Sequence, residues 1–219
     1  GQVQGVSQRC ELDFPPRHGG SQDQQAGQDV HLLVAGATGS GKSVCLNVII
    51  MTLLYTFGPD ELKFLMVDPK RVELQVYNGL PHLVTPVITK TNETVNALKW
   101  ALREMDHRYD LLSKVGARDL ASYNSRVEEK IPYLTIIVDE LADLMATSAA
   151  EIEGPIVRLA QMARAVGMHD LDAAAGRAVR PGDAPHRIVD PHRAAAVDDR
   201  LLQREHPPDQ RIRAAVEKL

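Results

Sequence analysis

GATGSGKS at residues 36–43 stands between two apolar segments, VHLLVA at 30–35 and VCLNVII at 44–50. A glycine, four residues and then Gly-Lys-Ser, between a strand and a helix, form the pattern of a phosphate-binding loop. Such a loop needs glycine because a side chain would keep the backbone amides away from the phosphate oxygens. The pattern therefore predicts a strand at 30–35, a phosphate-binding loop and a helix at 42–57. The alternative is a glycine-rich turn without a ligand, which does not require this order of elements.

Individual residues of this loop have separate predicted roles. Lys42 is predicted to reach the β and γ phosphates of a nucleotide, and the Ser43 hydroxyl is predicted to bind Mg²⁺. The first turn of the following helix adds unpaired backbone amides and a positive dipole end. The residues predicted to contact the nucleotide are Gly36, Ala37, Thr38, Gly39, Ser40, Gly41, Lys42, Ser43 and Val44.

A second chemical centre follows the run YLTIIV at 133–138. The run is apolar and β-branched, which predicts a buried central strand that delivers Asp139 and Glu140 to the edge of the sheet. A phosphate loop needs such a pair, since one carboxylate completes the magnesium shell and the other orients and deprotonates an attacking water. We expect the pair to face the loop across adjoining strand ends. The alternative is a simple helix N-terminus, where acidic residues are also favoured.

The remaining periodicity predicts an α/β domain. Apolar residues recur at alternating steps of three and four between 91 and 115, which predicts a long amphipathic helix. We interpret its opposite face as solvated, and that face carries Lys99, Arg103, Glu104, Arg108 and Lys114. The other predicted elements are a strand at 62–67, extended pieces at 72–76 and 83–88, and helices at 117–127 and 152–166.

Composition limits the class of protein. The 219 residues carry a net charge of -4, which argues against a uniformly basic surface but permits DNA at a local patch or in a pore. Two cysteines, the lack of a long apolar run and the lack of a signal-peptide pattern predict a protein of the reducing cytoplasm without membrane contact. We predict an irregular leader at 1–29, a core at 30–169 and a poorly ordered tail rich in Ala, Arg and Pro at 170–219.

Six longer phrases are distributed along the predicted core. They are HLLVAGATGSGKSVCLN from His31, DPKRVEL from Asp68, YNGLPHLVTPVIT from Tyr77, NALKWALREMDHRY from Asn96, YLTIIVDELADLM from Tyr133 and RLAQMARAVGMH from Arg158. Together they resemble the motor domain of the FtsK/SpoIIIE family of double-stranded DNA translocases. DPKRVEL and DELADLM are far more specific for this family than the phosphate loop alone.

The resemblance implies a RecA-like P-loop NTPase core, with a mostly parallel sheet flanked by helices, that forms a homo-hexameric ring around duplex DNA. It implies ATP and Mg²⁺ as cofactors, with hydrolysis coupled to DNA movement in cell division and chromosome partition. Carried over to this chain, it makes Lys42 a catalytic phosphate contact, Ser43 and Asp139 the Mg²⁺ ligands, and Glu140 the general base. Arg164 is either a finger that enters a neighbouring subunit's site or a structural arginine on an exposed helix face. A longer parent could be anchored in the inner membrane.

The chain is expected to depart from the family on both flanks, upstream of Asp29 and after His169. After His169 the family continues with an apolar strand that ends in a Thr-Gln-Arg-Pro phrase, a sensor of the γ phosphate, whereas this chain has DLDAAAGRAVRPG. We therefore expect the core to be truncated after His169, without this strand or its sensor. An altered reading frame is one hypothesis for the change. Translating the coding DNA in the other two frames tests it, and finding no apolar strand in any frame would reject it.

Three functions stay open on these residues. The first is a motor fragment of a DNA translocase, the second a nucleotide-binding remnant without turnover, and the third a related ring ATPase of a secretion system, which DPKRVEL disfavours. A GTPase is disfavoured because no Asn-Lys-x-Asp phrase occurs. Lys70 and Arg71 could contact DNA, pair with Asp68 or Glu73, or bind a nucleotide phosphate.

Overall fold

A five-stranded sheet forms the centre of the computed structural model, which describes residues 32–36, 41–175 and 187–189. The strands are β1 (Leu32–Gly36), β2 (Leu62–Val67), β3 (Tyr133–Val138), β4 (Met168–Ala175) and β5 (Arg187–Val189), in the spatial order β2-β3-β4-β1-β5. Every strand pairing among the described residues is parallel. The predicted α/β class with a mostly parallel sheet is confirmed. The predicted leader, and the predicted tail apart from 170–175 and β5, lie outside the described residues.

Helices connect the strands and cover both faces of the sheet. They are α1 (Lys42–Thr56), α2 (Thr91–Val115), α3 (Leu120–Asn124) and α4 (Leu141–Met162), with short 3₁₀ helices at Gln75–Tyr77 and Ala163–Val166. Ser148 has non-helical backbone angles inside α4, so this helix is kinked there. Within the described ranges, no helix combines the length and apolar character that crossing a bilayer requires.

Alternating residues of β2 point to opposite faces, and both faces are buried. Leu65 and Val67 pack with α2 and α4 on one face, while Phe64 and Met66 pack with α1 on the other. Because helices cover both faces, β2 and β3 are apolar at nearly every position. This continuous apolar run is the reason that the sequence predicts the observed bounds of both strands.

The predicted loss of a strand after His169 is wrong. Residues 168–175 form β4, which lies between β1 and β3 and pairs with both. Its register places Asp170 opposite Ile136 of β3, and both His169 and Asp170 are buried. The composition argument failed because an interior strand is held by backbone hydrogen bonds to two neighbours, and these bonds form whether or not its side chains are apolar.

The predicted solvated position of Arg108 is also wrong, because its side chain is buried against the end of the 3₁₀ helix Ala163–Val166. Its Nη1 donates a hydrogen bond to the carbonyl of Val166 at 3.1 Å, and its Nε donates to Glu104 at 2.7 Å. The hydroxyl of Tyr109 donates to the carbonyl of Met162 at 2.6 Å. Carbonyls at the end of a helix have no partner within the helix. Tyr109 therefore joins α2 to the carboxyl end of α4, and Arg108 joins it to the end of the 3₁₀ helix that follows.

The chain that follows β2 is wound more tightly than the sequence predicts. A 3₁₀ helix at 75–77 replaces part of the extended piece predicted at 72–76. The carboxylate of Asp68 accepts hydrogen bonds from the backbone amides of Arg71 at 2.7 Å and Leu74 at 3.1 Å. In an extended strand, amides three and six residues further on would be too far away to reach one carboxylate. The two hydrogen bonds to Asp68 therefore require the segment to fold into turns.

Three further bounds differ from the prediction. The piece predicted at 83–88 contributes two isolated parallel bridges to β2. Helix α3 begins later than predicted because Asp119 caps it, and its side chain accepts a hydrogen bond from the amide of Ser122 at 2.7 Å. Helix α4 begins at Leu141, well before the predicted start at 152, and therefore starts directly after the acidic pair.

Candidate functional site

The predicted phosphate-binding loop joins the carboxyl end of β1 to the amino end of α1. Gly36 is the last residue of β1, and Lys42 is the first residue of α1. Gly41 between them has a φ of 87°, a left-handed conformation that favours glycine. The loop residues Ala37, Thr38, Gly39 and Ser40 lie outside the described residues. The predicted strand before the loop and the predicted helix after it are present, with the amino end of α1 at the carboxyl ends of the strands.

Ser43 contacts the segment that follows β2. Its hydroxyl donates a hydrogen bond to Oε1 of Glu73 at 2.9 Å. One turn further along α1, Asn47 accepts a hydrogen bond from the hydroxyl of Tyr77 at 2.7 Å. These two contacts attach the segment to α1. The neighbouring side chain of Val44 is 60% exposed, so its backbone amide is the group that fits the predicted nucleotide contact.

Asp139 and Glu140 follow β3 directly, at the edge of the sheet that also carries the loop after β1. The expectation that these two strand ends adjoin is wrong, because β4 lies between them. The segment after β2 supplies Glu73, which lies between the two strand ends. Glu73 contacts Ser43 and also lies close enough to Asp139 to raise the pKa of that carboxyl group. Glu73 is therefore a common neighbour of Ser43 at the start of α1 and of Asp139, in spite of the intervening strand.

Asp139 is crowded by other acidic side chains. Burial raises the pKa of its carboxyl group to about 6, and the carboxylates of Asp68, Glu73 and Glu140 add to the rise. The ammonium group of Lys70 opposes it. Several carboxylates close together in a partly buried place disfavour further negative charge and favour a cation. The electrostatics of the site therefore suit a bound metal ion.

Lys70 links the acidic pair to α4. Its Nζ lies 3.3 Å from Oε2 of Glu140 and 3.3 Å from Oδ2 of Asp143. The sequence left its partner open, and the structure gives it partners some 70 residues away. DPKRVEL is the signal that could have found Lys70 and Glu73 as site residues. Charged residues directly after a buried strand emerge at the same sheet edge as the residues that follow a parallel neighbour.

The arrangement fits a magnesium ion that protein and nucleotide hold together. Among the described residues, no group of three or more His, Cys, Asp or Glu side chains could hold a metal ion by itself. Mg²⁺ commonly takes one or two protein oxygens and completes its shell with phosphate oxygens and water. The Ser43 hydroxyl and the Asp139 carboxylate are oxygen donors of this kind, and they fit that role.

Arg164 lies at the amino ends of the parallel strands, whereas the acidic pair lies at their carboxyl ends. Arg164 belongs to the 3₁₀ helix Ala163–Val166, which immediately precedes β4, and its side chain is exposed. Because β4 runs parallel to β3, its start lies opposite the edge that carries Asp139. The structure therefore does not bring Arg164 together with Lys42 or Glu140 of the same chain.

Replacing Asp139 with asparagine is expected to stabilise the metal-free protein. The raised pKa means that the folded chain keeps this proton to a higher pH than the unfolded chain does. The free energy of unfolding therefore falls as the pH rises from about 4 through about 6, and the charged carboxylate is unfavourable above that range. In EDTA, Asp139→Asn should raise the free energy of unfolding by about 1 kcal/mol near pH 8 and by little near pH 4. Urea unfolding at both pH values measures this, and an equal gain at both would contradict it.

Comparisons with known proteins identify the family of the chain. The model of the FtsK/SpoIIIE family matches residues 16–183. The DNA translocase FtsK of Caldanaerobacter subterraneus subsp. tengcongensis is 54% identical over 140 residues, which cover 64% of this chain and 20% of that protein. The chain thus spans about a fifth of the length of this relative.

Two solved structures are similar as well. The monomer form of the pCW3 conjugation coupling protein TcpA with ATPγS has a TM-score of 0.59 at 30% identity, over 67% of this chain and 43% of that one. The cytoplasmic domain of the Thermomonospora curvata type VII secretion ATPase EccC has a TM-score of 0.58 at 31% identity, over 66% and 18%. The family match covers the loop after β1, the DPKRVEL segment, the acidic pair and all of β4. This chain therefore belongs to the FtsK/SpoIIIE family, and its core is a RecA-like P-loop NTPase domain.

Proposed function

We propose that this chain is the ATP-binding motor core of a double-stranded DNA translocase of the cell-division and chromosome-partition type. The observation that carries the proposal is the convergence of Ser43, Glu73 and Asp139 at one edge of the sheet. In the proposal, Ser43 of the loop helix and Asp139 after β3 supply the two protein ligands for the magnesium ion that phosphoryl transfer uses. The FtsK relative bears the name DNA translocase, which supports duplex DNA as the polymer that is moved.

Each residue of the site has a separate role in the proposed ATP hydrolysis. A bound Mg²⁺ would neutralise charge on the β and γ phosphates. Lys42 at the start of α1 stabilises negative charge on the transferred phosphoryl group. Ser43 and Asp139 supply oxygen ligands for the ion. Glu140 orients the attacking water and accepts its proton while Lys70 holds one of its carboxylate oxygens.

The proposal includes a homo-hexameric ring in which Arg164 serves a neighbouring subunit. Arg164 lies at the amino ends of the strands, and the nucleotide site of its own chain lies at their carboxyl ends. This separation supports a role of Arg164 in the site of a neighbouring subunit. An arginine of this kind is worth about 10³ to 10⁵ in rate in other nucleotide hydrolases. Hydrolysis by the isolated chain should therefore be slow until copies assemble.

Two alternative functions have specific support. A nucleotide-binding remnant without turnover is supported by the sequence of β4, which lacks the Thr-Gln-Arg-Pro phrase and buries His169 and Asp170 instead. A motor that moves protein is supported by the likeness to the type VII secretion ATPase EccC. The phrase DPKRVEL and the higher identity to FtsK favour the DNA translocase over this second alternative.

The purified chain is expected to release phosphate from ATP faster when duplex DNA is present. Lys42→Ala should lower the DNA-stimulated rate by about 10²- to 10³-fold, because a preorganised charge at the phosphates is lost. Lys99→Ala, on the exposed face of α2, is the matched control and should keep the rate. Stimulation should weaken as salt is raised, since phosphate-backbone contacts release counterions. Nucleotide binding without turnover would favour the remnant, and turnover indifferent to DNA would favour the secretion-type motor.

A further inference from the structure

Glu73, to which the sequence analysis assigned no role in the site, contacts the predicted magnesium ligand Ser43. It accepts the hydroxyl hydrogen of Ser43 at 2.9 Å, although the two residues are 30 positions apart in the sequence. Ser43 is the loop-helix hydroxyl that fits as a Mg²⁺ ligand. Glu73 also lies near Asp139, the other residue that fits as a ligand, since its carboxylate contributes to the raised pKa there. One side chain is thus close to both.

A hydroxyl group binds a cation through a lone pair of its oxygen, so its hydrogen must point elsewhere. That hydrogen needs an acceptor, because a half-buried donor without a partner is unfavourable. A carboxylate on the far side of the hydroxyl supplies the acceptor and turns the lone pairs toward the metal. The contact between Ser43 and Glu73 has the required direction, with the hydroxyl donating and the carboxylate accepting.

The backbone around Glu73 is fixed by buried neighbours. Leu74, the next residue, is fully buried, and its amide donates to the carboxylate of Asp68 at 3.1 Å. The amide of Arg71, two residues before Glu73, donates to the same buried carboxylate at 2.7 Å. Glu73 is therefore held against Ser43 before any ligand arrives, which is the preorganisation that a precise site needs.

We propose that Glu73 is a positioning residue for the magnesium site, which it serves by orienting the hydroxyl of Ser43. The inference rests on the proposed function, since it assumes that Ser43 binds Mg²⁺ together with a nucleotide. Glu73 acts through Ser43 and does not itself bind the metal. Its loss should therefore weaken the dependence of nucleotide binding on Mg²⁺ and leave metal-free nucleotide binding intact.

The test measures nucleotide affinity over a series of Mg²⁺ concentrations and again in EDTA, with a fluorescent ATP analogue and no turnover required. Glu73→Ala should lower the apparent Mg²⁺ affinity by about 10- to 100-fold, as loss of such supporting residues does elsewhere. Glu73→Gln keeps an oxygen acceptor and should lose less than Glu73→Ala. In EDTA, all three proteins should bind the analogue equally.

Tyr77→Phe is the matched control because it breaks the neighbouring contact between the same segment and α1. It should leave the apparent Mg²⁺ affinity unchanged, whereas a merely structural role of Glu73 would make both variants lose affinity alike. In a double-mutant cycle, Ser43→Ala and Glu73→Ala should be non-additive, because the second change removes nothing once the first is made.

Three outcomes overturn the inference. They are an unchanged Mg²⁺ affinity in Glu73→Ala, an equal loss in Tyr77→Phe, and additive losses in the cycle with Ser43→Ala. If the unchanged chain binds no Mg²⁺-nucleotide at all, both the proposed function and the role of Glu73 fail. If the unchanged chain binds it and only the variants behave differently from expectation, the role of Glu73 fails alone.

Discussion

The Glu140→Gln variant is expected to bind Mg²⁺ and ATP like the unchanged chain and to hydrolyse ATP about 10² to 10⁴ times more slowly. Glutamine has the size of glutamate and keeps an oxygen for Lys70, but it cannot accept a proton from water. Proton transfer to a positioned base typically contributes a rate factor of about 10² to 10⁴. Nucleotide affinity by fluorescence and phosphate release under saturating ATP measure the two properties separately.

Asp143→Asn is the matched control for this prediction. Asp143 is the other partner of Lys70, also at 3.3 Å, but its side chain is exposed one turn along α4. It should keep the hydrolysis rate within a few-fold, because a surface ion pair contributes little. Equal loss in both variants would show that the ion-pair arrangement around Lys70 matters and that Glu140 is not a base.

The Gly167→Ala variant is expected to lower the free energy of unfolding by about 3 kcal/mol. Gly167 links the 3₁₀ helix Ala163–Val166 to β4 with a φ of 68°, which is strained for any residue with a Cβ atom. A Cβ there would lie 2.2 Å from Cδ2 of Leu120 and 3.0 Å from the ring of Tyr133. Leu120 is itself buried, so it cannot move aside without disturbing the core. Urea unfolding followed by circular dichroism measures the loss.

Gly116→Ala separates backbone strain from steric overlap. Gly116 has nearly the same φ, 64°, but a Cβ there would have no atom within 4 Å. We expect a loss of about 1 kcal/mol from the backbone alone. A double variant, Gly167→Ala with Leu120→Ala, should recover part of the steric loss, since the overlap is removed. Equal losses in Gly116→Ala and Gly167→Ala would contradict the steric argument.

Local patterns were sufficient for several elements of the fold. The bounds of α2 follow from its 3.6-residue periodicity and from the glycine that ends it, and both signals lie within the helix itself. The strand β4 could not be predicted in this way, because what holds it are the backbones of β1 and β3. Arg108 was misplaced for a similar reason, since its partner Val166 is 58 residues further along the chain.

The same division applies to the site. The loop helix with Lys42 and the acidic pair carry contiguous patterns, so the sequence predicts both and their common sheet edge. The contacts that connect them join residues that are 30 and 70 positions apart, namely Ser43 to Glu73 and Lys70 to Glu140. No local period or spacing encodes such a contact. Only the phrase DPKRVEL indicated that this segment has a role.

Helix α4 begins directly after Glu140 and ends two residues before Arg164. At 1.5 Å per residue its 22 residues would span about 33 Å if straight, roughly the width of a small domain. In the proposed ring, a tilt of this helix would move Glu140, the proposed base, together with Arg164, the residue proposed to reach the next copy. The kink at Ser148 would then influence how much of a movement at one end of the helix reaches the other end.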